Sequence, residues 1–157
     1  AQKVIVVGSN DLQSLYVANN VCSAVEYFRK LGGSVGVAGI VINRDDGTGE
    51  AKKFAEKVGI PVLSTIPADD DIRRKSAMYQ IIGTKQSQWG SLFETLATNV
   101  AMAPPVRPTT LNQDELLGLF EGGQTGAGFT LVPATDADMR GKFSKPKKSL
   151  EVIYDKV

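Results

Sequence analysis

The chain has 157 residues, of which 42% are hydrophobic and 22% charged, a composition typical of a globular domain. Its 18 basic and 17 acidic side chains leave a net charge of +1, so the basic excess of nucleic-acid-binding proteins is absent. No apolar run approaches the roughly 18 residues needed to span a bilayer, and residues 1–8 do not have the pattern of a signal peptide. The single cysteine, Cys22, predicts a reducing compartment, the cytoplasm. The absence of histidine excludes a Ser-His-Asp triad and a histidine-based zinc site in this chain.

Strand and helix patterns alternate through the first two-thirds of the chain. The apolar, β-branched run at residues 4–7 predicts a strand that is buried on both faces, and residues 37–42 and 61–66 predict two further strands. Amphipathic segments at residues 11–31 and 50–58 predict helices between them. This order indicates an α/β fold, with a parallel sheet between flanking helices in three layers. The apolar face predicted for the first helix consists of Leu12, Leu15, Tyr16, Val21, Val25 and Phe28.

The later part of the chain predicts more helices and then a change of character. Helices are expected at residues 70–79, 86–102 and 110–120, with a stiff proline-rich connector at residues 104–108. Glycine and then lysine become frequent after residue 121, which predicts a flexible tail over residues 122–157. Two short strands are expected in that tail, at residues 129–132 and 150–154. The predicted organisation is therefore one α/β domain over residues 1–121, followed by the tail.

Polar loops are expected at the carboxyl ends of the three strands, where parallel sheets bind ligands. Asn43 follows the second strand, and its amide either presents a donor and an acceptor to a ligand or stabilises a turn. The run Asp69, Asp70 and Asp71 follows the third strand and suits Mg²⁺ binding, a phospho-acceptor cluster or helix capping. Capping is favoured, because acidic side chains are expected in the first turn of a helix.

Other candidate groups have ordinary structural interpretations beside the functional ones. Arg73 and Arg74 could bind phosphate, although such pairs more commonly form i,i+4 surface ion pairs. No Gly-x-x-x-x-Gly-Lys-Ser/Thr loop is present, so the chain has no Walker A phosphate cradle. Cys22 falls within a predicted helix, where a lone cysteine is usually a small core residue. One cysteine cannot hold an iron–sulfur cluster alone, but a cysteine from each of two subunits can help to bridge one.

Four segments carry a more specific pattern. Residues 4–20 (VIVVGSNDLQSLYVANN) run from a strand into a helix with an L-Y-x-A-N-N element, and residues 39–44 (GIVINR) end a strand at Asn43. Residues 66–69 (IPAD) form a Pro-x-Asp turn, and residues 108–117 (PTTLNQDELL) join a proline to a helix start. Over about residues 2–120, these motifs resemble the nitrogenase iron-protein family.

The resemblance implies the carboxyl-terminal half of a P-loop NTPase fold. Members of this family are homodimers that bind MgATP through an N-terminal P-loop and hold one 4Fe-4S cluster between two cysteines from each subunit. ATP hydrolysis gates electron delivery from ferredoxin to a catalytic partner. By their match to the family's motifs, Asn43, Pro67 and Asp69 correspond to contacts with the nucleotide base, and Arg73 to a variable position beside it. No residue matches a catalytic group or a metal ligand.

Within the family, residues 7–16, the loop at residues 45–50 (DDGTGE) and the long tail resemble the branch that serves chlorophyllide a reductase in bacteriochlorophyll synthesis. In that branch the catalytic partner consists of the Y and Z subunits. The P-loop, both switch segments and both cluster cysteines of the family pattern are absent from this sequence. The resemblance therefore implies half of an electron-donating oxidoreductase subunit, which is expected to be inactive alone and to bind neither MgATP nor the cluster.

Two other classes of protein remain open from the sequence. The chain could be half of a non-redox partition-type or regulatory ATPase, whose members share the Asn and Pro-x-Asp positions. The absence of a basic amphipathic helix at the carboxyl end argues against a membrane-binding version of that class. The chain could instead be a stand-alone three-layer binding module without a nucleotide. Upstream cysteines would distinguish the redox protein from the other ATPases.

Overall fold

The computed structural model describes residues 2–121. The predicted boundary at residue 122, the flexible tail and its strands at residues 129–132 and 150–154 lie outside the described residues. None of the described helices combines the length and apolar character needed to cross a membrane. In chain order the elements are β1 (Lys3–Gly8), α1 (Leu12–Lys30), β2 (Gly36–Asp45), α2 (Glu50–Val58), β3 (Val62–Pro67), α3 (Asp70–Ala77), α4 (Gly90–Met102) and α5 (Gln113–Leu117).

The three strands form a parallel sheet in the order β1-β2-β3, with helices on both faces, which confirms the predicted α/β class. Because side chains alternate along a strand, β2 contributes to two separate apolar clusters. Ile40 and Ile42 belong to the first cluster, with residues of α1 and α2 and the segment around α5. Val41 belongs to the second, against which residues of α3 and α4 pack. Both faces of β2 are therefore covered.

The first cluster contains the largest fully buried side chains, among them Phe54 of α2 and Leu15 of α1. Cys22 is also fully buried there, which confirms its prediction as a core residue, and burial raises the pKa of its thiol to about 11. The predicted apolar face of α1 is partly wrong, because Tyr16 and Phe28 are 54% and 59% exposed. Leu15 and Val25 face inward as predicted, and they are joined there by Ala18, Asn19 and Cys22, which hydrophobic periodicity did not select.

Polar side chains connect segments that are far apart in the chain. The Asn19 amide donates to the Leu111 carbonyl at 2.8 Å and accepts from the Leu111 N–H at 2.9 Å. Asn99 of α4 donates to the Leu63 carbonyl of β3 at 2.7 Å. The Lys3 ammonium group donates to three carbonyl oxygens at the end of α4, those of Val100, Ala101 and Ala103. This contact places a positive charge at the negative end of the α4 dipole.

Several predicted boundaries are displaced where tertiary contacts override local pattern. The helix predicted at residues 70–79 ends at Ala77, and Tyr79 adopts a left-handed conformation with φ of +56°. The next helix begins at Gly90 rather than at residue 86, because residues before it form a turn in which the Ser87 hydroxyl donates to the Ile82 carbonyl. The helix predicted at residues 110–120 is limited to Gln113–Leu117, after a capping box formed by Asn112 and Glu115.

Gly39 occupies a position in β2 that a larger residue cannot take without strain. Its φ is +151°, and a Cβ atom there would meet the Pro61 carbonyl oxygen and lie 2.8 Å from Leu63 Cγ. We expect Gly39→Ala to lower the free energy of unfolding by about 3–4 kcal/mol, which combines backbone strain with overpacking. Urea denaturation of the chain measures this change.

Gly47→Ala is the matched control, because Gly47 has a φ of +84° but a Cβ atom added there would meet no other atom within 4 Å. We expect a loss of only about 1–2 kcal/mol from backbone strain there. If Gly39→Ala and Gly47→Ala lower the free energy of unfolding equally, the contacts of the added Cβ atom with Pro61 and Leu63 contribute nothing to the loss.

Candidate functional site

A cavity of about 1080 Å³ lies between the sheet and the helices α3 and α4. Its floor is apolar and includes Ile5 and Val7 of β1, which are 37% and 63% exposed, so the predicted burial of this strand on both faces is wrong. Phe93 and Leu96 of α4 line the opposite wall. The volume is slightly above the usual range for small-molecule sites, roughly 300–1000 Å³. Polar residues from the carboxyl ends of β2 and β3 and from α3 complete its lining: Asn43, Arg44, Asp69, Asp70, Arg73 and Ser76.

All four residues predicted to contact a nucleotide, Asn43, Pro67, Asp69 and Arg73, line this cavity. Asn43 lies within β2 rather than in a loop, so the predicted strand end at residue 42 and the turn interpretation are wrong. The strand continues because Asp45 pairs with Pro67 across an irregularity in the register, and the Ala68 N–H donates to the Asp45 carbonyl at 2.9 Å. Asn43 is half-buried, and its amide makes no hydrogen bond within residues 2–121.

The aspartates after β3 lie at the start of α3, one as its cap and two in its first turn. Asp69 is the N-cap of α3, and its carboxylate accepts from the Asp71 N–H at 2.7 Å, which confirms the favoured interpretation. Within the part of the chain that the structure describes, no three acidic, cysteine or histidine side chains cluster in a way that could hold a metal ion.

Arg73 stands at the mouth of the cavity in an exposed ion pair. Its guanidinium donates to the Asp70 carboxylate at 3.2 Å, with the two side chains 80% and 94% exposed. The pair spans three residues rather than the predicted four, and Arg74 pairs with Asp71 at the same spacing. Because exposed ion pairs are screened by water and salt, this contact leaves the Arg73 guanidinium accessible to a ligand.

Asn10 joins the loops at the carboxyl ends of β1 and β2, a role that the sequence pattern alone does not reveal. Its amide nitrogen donates to the carboxylates of Asp45 at 2.7 Å and Asp46 at 2.8 Å. Its amide oxygen accepts from the Ala51 N–H at 2.9 Å, in the first turn of α2. Asn10 is only 9% exposed. The sequence does show an asparagine in a strand-to-helix loop. It does not show the hydrogen-bond partners of this asparagine, because they lie at least 35 residues away.

Three carboxyl groups have a pKa below the ordinary range, each because donors stabilise its charged form. Hydrogen bonds from the Ser9 hydroxyl and the Ser14 N–H lower the pKa of Asp11. The hydroxyl and N–H of Thr48 do the same for Asp46, with a smaller effect from Asn10. Lys75 and then Trp89 lower the pKa of Asp71. Carboxylates that stay ionised in this way do not serve as proton donors near neutral pH.

The residues of the cavity fit one part of a nucleotide. An apolar wall and an amide that offers both a donor and an acceptor suit a purine ring, whereas the sequence has no Walker A loop for the phosphates. An iron–sulfur cluster does not fit the described residues, because the only thiol is fully buried in α1 and its pKa is raised. Cluster ligation requires a thiolate, which this environment disfavours.

Comparison with known proteins agrees with the motifs. Residues 1–125 match the family described as "4Fe-4S iron sulfur cluster binding proteins, NifH/frxC family". The chain is 72% identical, over 99% of its length, to the chlorophyllide reductase 35.5 kDa chain of Cereibacter sphaeroides, and 69% identical, over all of its length, to the protein of that name from Rhodobacter capsulatus. It is 34% identical, over 76% of its length, to the light-independent protochlorophyllide reductase iron-sulfur ATP-binding protein of Rhodopseudomonas palustris.

The chain spans about half the length of the curated relatives that it matches. It covers 46% and 47% of the two chlorophyllide reductase chains and 41% of the protochlorophyllide reductase protein. The family match covers most of the sequence, including every described element of the sheet and both walls of the cavity. The chain belongs to the NifH/frxC family of 4Fe-4S iron sulfur cluster binding proteins.

Proposed function

We propose that this chain is the carboxyl-terminal half of the ATP-dependent, electron-donating iron–sulfur subunit of a cytoplasmic chlorophyllide a reductase. In the complete homodimer, MgATP hydrolysis would drive electrons from ferredoxin through the 4Fe-4S cluster to the catalytic Y and Z subunits. The half described here supplies the pocket for the nucleotide base. The phosphate-binding loop and the cluster ligands would come from the preceding half.

One observation carries the nucleotide part of the proposal: Asn43, Pro67, Asp69 and Arg73, chosen from separate motifs, line the same cavity. Asn43 comes from β2, whereas the other three come from the end of β3 and from α3. The reductase part is supported by identities of 69–72% to two chlorophyllide reductase chains over nearly the whole sequence. A half of a non-redox ATPase would share the cavity and would lack the cysteines upstream.

The coding sequence before codon 1 tests the redox assignment directly. We expect an in-frame Gly-x-x-x-x-Gly-Lys-Ser/Thr motif and two separated cysteines, the second of them beside Ala1. A P-loop without cysteines would replace the proposal by a non-redox ATPase. A start codon immediately before Ala1 would leave only the binding module.

The 157-residue chain alone is expected to acquire no cluster when it is incubated anaerobically with iron and sulfide. Its only thiol is buried and has a pKa of about 11, so little thiolate exists at neutral pH. Visible absorbance and iron analysis of the desalted protein measure the outcome. The same treatment of a protein extended through both upstream cysteines is the control, and a cluster in the short chain would contradict the assignment of ligands to the preceding half.

Asn43→Ala in the extended protein tests the base pocket. We expect the affinity for MgATP to fall about tenfold, because one amide hydrogen-bonding group is lost at the base. Affinity for inorganic tripolyphosphate should not change, since Asn43 is assigned to the base and not to the phosphates. Isothermal titration calorimetry measures both ligands.

Asn20→Ala, an exposed change in α1, is the matched control for Asn43→Ala and should leave both affinities unchanged. An equal loss of MgATP and tripolyphosphate affinity in Asn43→Ala would remove Asn43 from the base pocket.

A further inference from the structure

Asp71 lies at the centre of a hydrogen-bonded cluster between α3 and the start of α4. Its Oδ2 accepts from Lys75 Nζ at 2.7 Å, from Trp89 Nε1 at 3.0 Å and from Gln88 Nε2 at 3.0 Å. Its Oδ1 accepts from the Arg74 guanidinium at 3.0 Å. The Asp71 side chain is only 20% exposed. We call these five residues the Asp71 cluster.

Helix α3 has little else to hold it in place. It contains no buried residue, and Ile72 is its one side chain that packs against the second apolar cluster. In the described part of the chain, its only side-chain hydrogen bonds to another element or turn are those that Asp71 accepts from Trp89 and Gln88. The position of α3 relative to α4 therefore depends on Asp71 to an unusual degree.

The same two elements form the walls of the cavity. Asp69, the N-cap of α3, and Arg73, one turn further on, stand at its mouth, while Phe93 and Leu96 of α4 line the opposite side. Asp71 lies between Asp69 and Arg73 in sequence and is not itself among the lining residues. A displacement of α3 would move Asp69 and Arg73 together.

We infer that Asp71 is a positioning residue for the nucleotide pocket: its bonds to Trp89 and Gln88 fix α3 against α4 and so hold Asp69 and Arg73 at the mouth of the cavity. The inference rests on the proposed function only for the identity of the ligand. The coupling of α3 to α4 is a property of this chain and can be measured without a nucleotide.

The charges around Asp71 favour its ionised form over the whole range in which proteins are normally handled. Lys75 and Arg74 of α3 are positive, and α4 and its preceding turn contribute only the neutral donors Trp89 and Gln88. These contacts hold the pKa of Asp71 far below the ordinary carboxyl value. A lowered pKa means that the contribution of the carboxylate is present above the unfolded-state pKa of about 4 and is lost only as the pH falls well below it.

The test uses Asp71→Asn and Trp89→Phe in the 157-residue chain, followed by hydrogen exchange of backbone amides. Trp89→Phe removes the indole N–H but keeps an aromatic ring. We expect amide exchange in α3 to accelerate about tenfold in both variants, while the amides of β2 and α1 keep their protection. Asp71→Glu keeps the charge, so the α3 amides should be better protected from exchange in this variant than in Asp71→Asn. Glu94→Gln, an exposed change of the same charge in α4, is the control.

Trp89 is the only tryptophan, so its indole proton reports on the cluster directly. In the unmodified chain the NMR chemical shift of this indole proton should stay constant from pH 7 to pH 4. In Asp71→Asn the resonance should move upfield. Unchanged exchange in α3 would overturn the inference. Equal acceleration at every amide would also overturn it, because Asp71 would then contribute only to global stability.

Binding measurements on the extended protein separate this inference from the proposed function. We expect Asp71→Asn to weaken MgATP binding about fivefold and to leave tripolyphosphate binding unchanged. Faster exchange in α3 with unaltered MgATP affinity would overturn the positioning role. If the unmodified extended protein binds no MgATP, the proposed function fails, while the exchange data still decide whether Asp71 fixes α3 to α4.

Discussion

The arrangement of the described residues depends on the burial of β2 on both faces. A strand that is covered on both sides needs helices above and below it, and the alternation of Ile40, Val41 and Ile42 assigns each neighbouring helix to one of two clusters. The first cluster is filled by α1, α2 and the segment around α5. The second is smaller and leaves a cavity beside it. The candidate site thus lies on the face of the sheet that carries the smaller apolar cluster.

Polar contacts join the loops and the helix that surround that cavity. Asn10 binds the loops after β1 and β2 to each other, and the Ala68 N–H joins the loop after β3 to Asp45. On the helical side, Asp71 joins α3 to the turn before α4. Such contacts have a preferred geometry, so they hold a binding site more specifically than nonpolar surfaces alone. The four residues selected by their match to the family motifs line this cavity.

Local sequence patterns predicted the strands and the long helices, because burial is recorded in short segments. The four residues chosen from family motifs are among those that line the cavity. They did not predict that Asn43 lies within β2, since that extension depends on the pairing of Asp45 with Pro67. The exposure of Tyr16 and Phe28 was also missed, because small and polar residues such as Ala18 and Asn19 take the inward positions of α1. The roles of Asn10 and Asp71 depend on hydrogen-bond partners from other segments of the chain. The pattern of hydrophobic residues along the sequence does not indicate such partners.

The contact between Lys3 and the end of α4 has a consequence for the order of folding. The last turn of α4 contains no basic residue, so the cation at its carboxyl end comes from a strand about 100 positions earlier in the chain. Closing a loop of that length costs chain entropy before the contact can form. The contact of Lys3 with the end of α4 therefore forms only once β1 and α4 have been brought together, whereas the backbone hydrogen bonds within α4 need no such closure.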